Sequence, residues 1–190
     1  MPSIIDYSIV LKQLESEGLH CNYYNGGSFG FPATAGAQTR GWLGPADDTI
    51  KPAMRPNVRG VSEPFAANLA NWAAQAWQRL LPGSLWVLPA SHWSFELTHG
   101  SQHGLSDLLV AAGIDSTLLI GRTNAAAIQF LPPEDRRFRQ FIEGLLHGLV
   151  SSDFTLVFPG RATICTVHHH KQLWWVSIDQ QIVSGLDAIL

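Results

Sequence analysis

The chain has 190 residues, 46% of them hydrophobic and 14% charged, with a formal net charge of −3. That balance excludes a disordered chain and argues against a protein whose main partner is nucleic acid. No apolar run approaches the ~20 residues of a membrane-spanning helix, and the start, MPSIIDYSIVLKQL, lacks a basic leader, so a cytoplasmic protein with no membrane contact is expected.

In chain order, the pattern predicts one α+β domain over residues 1–190. Ile4, Tyr7, Leu11 and Leu14 recur at helical spacing, Ser3 with Asp6 resembles a cap, and Gly18 offers a stop, so a helix over 4–17 is expected. A short strand over 19–24 completes the N-terminal piece, 1–24. Residues 25–60 are rich in Gly and Pro and show neither period. With Phe29, Phe31 and Trp42 as anchors, they are expected to form a long ordered loop that wraps or lids the domain.

Ser62-Glu63-Pro64 opens a helix over 62–81, whose stripe is Phe65, Leu69, Trp72, Ala76 and Leu80. The remainder, 84–179, reads as the sheet-forming core. Strands are expected at 85–88 and 92–98, the second from the alternation of Trp93, Phe95 and Leu97 with polar residues. A short helix at 102–112 follows, then a hairpin-like pair at 117–120 and 125–130. Pro132-Pro133-Glu134-Asp135 starts a helix with a stripe of Phe138, Phe141, Ile142, Leu145, Leu146 and Leu149. Three runs of β-formers, 154–158, 163–168 and 173–178, separated by turn residues, predict an antiparallel meander covered on both faces. The fold class is therefore α+β: a mostly antiparallel sheet with helices packed on one face and a long Gly/Pro-rich ordered loop.

The chain has eight histidines, and six fall in two groups: His92, His99 and His103, then His168, His169 and His170. Imidazole and carboxylate suit zinc or another divalent metal, so the candidate ligands are His92, Glu96, His99, His168 and His170. On a strand His169 would point away from its neighbours, which leaves it out of the set. If these side chains converged, the chain would read as a metal-dependent hydrolase with a metal-activated water.

Other chemistries are weaker. Gly26-Gly27-Ser28-Phe29-Gly30 matches G-x-S-x-G without the strand-to-helix turn a nucleophile needs. Lys51, Arg55 and Arg59, like Arg136, Arg137 and Arg139, lack the context of a nucleic-acid patch. Cys21 and Cys165 are too far apart in sequence to suggest a motif, and Cys165 is expected to be buried. No stretch carries a fingerprint that resembles a known family. Low charge and seven tryptophans favour instead a non-enzymatic binding module for a protein or small-molecule ligand, with a homo-oligomer as a natural form. Its surface is drawn around Trp42, Trp174, Trp175 and Lys171.

Overall fold

A computed structural model describes residues 1–22, 28–44, 50, 52–100, 104–120 and 126–189. In chain order the elements are β1 (Ser3–Ile5), α1 (Tyr7–Ser16), β2 (His20–Asn22), β3 (Ser28–Gly30), β4 (Gln38–Leu43), β5 (Val58–Gly60), α2 (Phe65–Leu80) and β6 (Leu85–Pro89). They continue with α3 (Trp93–His99), α4 (Leu105–Ala111), α5 (Thr117–Ile120), β7 (Ala127–Phe130), α6 (Asp135–Gly148), β8 (Phe154–Val157), β9 (Thr163–His168), β10 (Gln172–Ser177) and α7 (Gln180–Ala188).

The eight-stranded sheet has the order β1-β7-β6-β8-β9-β10-β4-β5. Every pairing is antiparallel except β4 with β5, so the α+β class with a mostly antiparallel sheet holds. β2 and β3 form a separate hairpin. The meander lies at the sheet's centre, where β8–β9–β10 pair in sequence. β9 and β10 are joined by a three-residue turn that sets His168 opposite Gln172.

Strand alternation splits the core in two. Leu85, Val87, Ile128, Phe130, Phe154, Leu156, Cys165, Val167, Leu173 and Trp175 meet α2, α6 and α7 on one face. Trp86, Leu88, Ala127, Val157 and Ile164 meet Val10 and Leu14 of α1 on the other. The larger helices thus share one face, as expected, while α1 covers part of the opposite one. That coverage explains why the meander carries bulky apolar groups on both sides.

Tertiary pairing redraws several local expectations. Ile4 leaves the first helix for β1, because the edge of β7 offers it a ladder at Ile128. Within 25–60, β4 inserts between β10 and β5, with Trp42 against Leu173; residues 25–27, 45–49 and 51 lie outside the described part. The segment expected as a strand over 92–98 is the helix α3. As a strand it would put Trp93 and Glu96 on opposite faces. The helix buries both, and it leaves Phe95, which alternation assigns to the core, 46% exposed. Residues 117–120 also form a helical turn, with Asp115 Oδ1 accepting hydrogen bonds from Thr117 N and Oγ1 at 2.9 and 2.6 Å. β7 is already flanked by β1 and β6, so no slot remains for a strand there.

A C-terminal helix, α7, went unforeseen. Asp179 caps it by accepting from Gln181 N and Ile182 N. Arg40 of β4 grips Asp187 through Nε and Nη2 at 2.7 and 2.9 Å, which holds the Asp187 carboxyl below its usual range. Arg59 of β5 donates to the carbonyls of Asp187 and Ile189.

Candidate functional site

The β9–β10 hairpin tip brings together what strand alternation would separate. His168 ends β9, His169 and His170 lie in the turn, and Lys171 follows with φ +63°, the left-handed conformation a three-residue hairpin loop needs at its last position. Such a φ is uncommon outside glycine and asparagine and costs about 1 kcal/mol. Lys171 N–H donates to His168 O at 2.9 Å and closes the turn. With alternation broken, the three imidazoles fold together. His169 is 4.3 Å from both His168 and His170 between ring centroids, and His168 is 4.8 Å from His170.

Each ring offers a ligand atom, and all three atoms lie within 4.8 Å of one another. Among the described residues this is the group of three or more metal-ligating side chains that comes together. It includes His168 and His170 and adds His169, which the strand argument discards. His92 and His99 stand elsewhere, exposed at the two ends of α3, with His99 stacked on Phe95. His103 lies outside the described residues.

One carboxylate orients two of the rings. Asp153 Oδ1 accepts from His169 N at 2.9 Å and from His169 Nδ1 at 2.8 Å, and its Oδ2 lies 3.7 Å from His168 Nε2. A carboxylate only accepts, so His169 Nδ1 carries a proton and its Nε2 keeps the lone pair. His170 N–H donates to His168 Nδ1 at 3.1 Å, which puts the neutral proton of His168 on Nε2, toward Asp153. His168, His169 and Asp153 are each about a quarter exposed, and His170 is exposed, so the cluster is open to solvent. Lys171 Nζ stands 5.4 Å over the Phe65 ring, whose centroid is 6.3 Å from that of His147.

Glu96 does not join the cluster; it sits sealed beside it. Glu96 is 1% exposed, and its Oε1 accepts from the hydroxyls of Ser91 and Ser152. Its Oε2 is shielded and has no partner among the described residues. Burial holds this carboxyl above the usual carboxylate range; Ser152 and Ser91 oppose that shift, and the charge of Asp153 reinforces it. Ser152 and Asp153 thus connect the sealed acid to the histidine tip. Neither stands out in the sequence, where they are two polar residues before a strand.

The tryptophans divide by face. Trp42 and Trp175 are 2% and 0% exposed, with rings 5.1 Å apart inside the core, so they belong to no surface. Trp174, on the opposite face of β10, is half-buried: it lies across Gly41 of β4 and donates from Nε1 to Gln172 Oε1 at 2.7 Å. Lys171 is exposed. Cys165 is fully buried, which pushes its thiol pKa well up and leaves it a small core hydrophobe. No described helix is long and apolar enough to cross a membrane.

Comparison of the chain with protein-family models, with curated proteins and with solved structures returns no match.

Proposed function

We propose that this protein is a binding module whose hairpin tip captures a divalent transition-metal ion through His168, His169 and His170. The observation that carries the reading is the convergence of three imidazole ligand atoms within 4.8 Å. Tetrahedral coordination at about 2.0–2.1 Å places ligand atoms about 3.3 Å apart, so a contraction of roughly 1.5 Å at the widest pair completes the site. Side chains on an open turn can make that adjustment by rotamer changes. Three nitrogen donors suit Zn²⁺, Ni²⁺, Co²⁺ or Cu²⁺ rather than Mg²⁺ or Ca²⁺, which prefer oxygen.

His169 binds through Nε2, with Asp153 holding its Nδ1–H as an orienting carboxylate. His168 binds through Nδ1, in place of the 3.1 Å bond from His170 N–H, while its Nε2–H stays toward Asp153. A fourth position remains for water or another ligand. The hydrolase alternative finds no support in Glu96, the carboxylate foreseen for it, because that group is sealed and engaged by two serines.

The test uses untagged, chelator-washed protein and calorimetric titration with Zn²⁺ and Ni²⁺, beside His168→Ala/His170→Ala and Asp153→Asn. One saturable site is expected, abolished in the double variant and weakened about 10–100-fold in Asp153→Asn, the usual cost of losing an orienting carboxylate. Equal binding by the wild type and the double variant, or none by either, would sink the proposal.

A further inference from the structure

The acid sealed beside the hairpin tip has a use there. We propose that Glu96 is a positioning residue for the histidine cluster: it fixes Ser152, Ser152 fixes Asp153, and Asp153 holds the His169 ring with its lone pair on Nε2. That role presupposes the metal site proposed above and adds to it a group that sets affinity without touching the ion.

The need for support is local. Asp153 must place one carboxylate so that Oδ1 meets both N and Nδ1 of His169, at 2.9 and 2.8 Å, while Oδ2 stays 3.7 Å from His168 Nε2. Yet it stands just outside the ladder, because the last pair of β6 with β8 is Pro89 with Phe154. Ser152 and Asp153 belong to no helix or strand. The segment that carries them is fastened to its neighbours instead. Asp153 O accepts from Ala90 N at 2.9 Å, Val150 N donates to Gly100 O at 3.3 Å, and Ser152 Oγ donates to Glu96 Oε1. The last two contacts tie it to the C-cap and the body of α3.

The choice of a carboxyl points the same way. An apolar side chain of similar volume would fill this place without the desolvation that raises the pKa of Glu96. What the acid adds is an oxygen that accepts two hydroxyls at once. Glu96 Oε1 takes Ser91 Oγ as well as Ser152 Oγ, so one atom joins residue 91, just past β6, to residue 152, just ahead of β8. An orienting carboxylate acts by fixing the tautomer and direction of its imidazole. Loosening Asp153 therefore gives up part of what its removal would.

Ser152→Ala removes the link, and Ser91→Ala removes a bond to the same oxygen without touching the segment that carries Asp153. Both are compared with wild type and with Glu96→Gln, in the full chain. In metal-free, ¹⁵N-labelled protein at about pH 8, above the usual imidazole pKa of about 6.5, long-range ¹H–¹⁵N correlations through the ring C–H protons report the His169 tautomer. Calorimetric titration of the chelator-washed proteins with Zn²⁺ reads affinity. Ser152→Ala is expected to shift His169 from Nδ1–H toward Nε2–H and to weaken zinc binding about 3–10-fold, less than the loss of Asp153 itself. Ser91→Ala should lower thermal stability by a similar amount and leave tautomer and affinity unchanged. Glu96→Gln, whose Oε1 still accepts from both serines, should keep both near wild type. An unchanged tautomer in Ser152→Ala, or an equal shift in Ser91→Ala, would reduce Glu96 to a structural residue and overturn the proposal. Zinc binding by none of the proteins, wild type included, defeats the metal site instead. The tautomer comparison, made without metal, still decides whether Glu96 positions Asp153.

Discussion

Replacing Gly100 by alanine tests whether Glu96 is as tightly held as its contacts indicate. Gly100 closes α3 at φ −75° and ψ −14°, ordinary right-handed geometry. On backbone grounds alone, alanine there should stabilise the fold by about 0.4–1 kcal/mol by restricting the unfolded chain. The surroundings say the opposite. An added Cβ would overlap Glu96 Oε2 and stand 2.9 Å from Glu96 Cα and 3.1 Å from its Cδ. The carboxyl cannot swing into solvent, because it is buried and bonded to Ser91 and Ser152. Overpacking a tight site costs about 1–3 kcal/mol. Displacing the carboxyl also gives up two hydrogen bonds of about 1 kcal/mol each. The expected result for Gly100→Ala is a net loss of about 2–4 kcal/mol, read from the urea midpoint at constant m-value. In a Glu96→Ala background the overlap with the carboxyl is gone and only the 2.9 Å approach to the Cα of residue 96 remains, so the same substitution should cost at least about 2 kcal/mol less than in the wild type, read as the coupling in the double-mutant cycle. Equal effects of Gly100→Ala in both backgrounds would refute the packing argument.

Glu96 itself and a second glycine, Gly41, each carry a further prediction. Glu96→Gln keeps the shape and removes the charge. The folded-state pKa of Glu96 is raised, so its favourable contribution is complete below the unfolded value of about 4.3 and is lost as pH rises through the folded value. The variant should therefore be more stable than wild type at about pH 8, with the gap closing on acidification; parallel stability profiles would contradict a raised pKa. At the other end of the meander, a Cβ at Gly41 would come within 2.6 Å of Trp174 Cζ3 and 2.9 Å of Cη2. Because the indole is tethered to Gln172, Gly41→Ala should cost roughly 1–3 kcal/mol and shift tryptophan fluorescence, and adding Trp174→Ala should cancel the steric part. Thermal unfolding of the three proteins checks it, and an unperturbed single variant would contradict the close approach.

The meander and two amphipathic helices were legible in the sequence because their signals are local. β-Branched runs closed by Pro159-Gly160 and by the histidine turn define β8, β9 and β10, and continuous apolar stripes define α2 and α6. The alternation of Trp93, Phe95 and Leu97 misled because a run this short fits either period, and only burial chooses between them. Trp93 donates to Ala126 O and Glu96 reaches Ser152, partners more than thirty residues away, and those contacts make the segment a helix. β4 has the same origin: a Gly-containing stretch becomes a strand because β10 presents a free ladder beside it. The candidate site divides likewise. Residue types alone singled out the histidines and Glu96. Which of them meet was a matter of tertiary structure, since a left-handed turn at Lys171 gathers three consecutive rings and Asp153, immediately ahead of β8, orients two of them. Composition and periodicity constrain what each segment can bury, whereas the convergence of polar side chains depends on strand order and turn geometry, which no local pattern encodes.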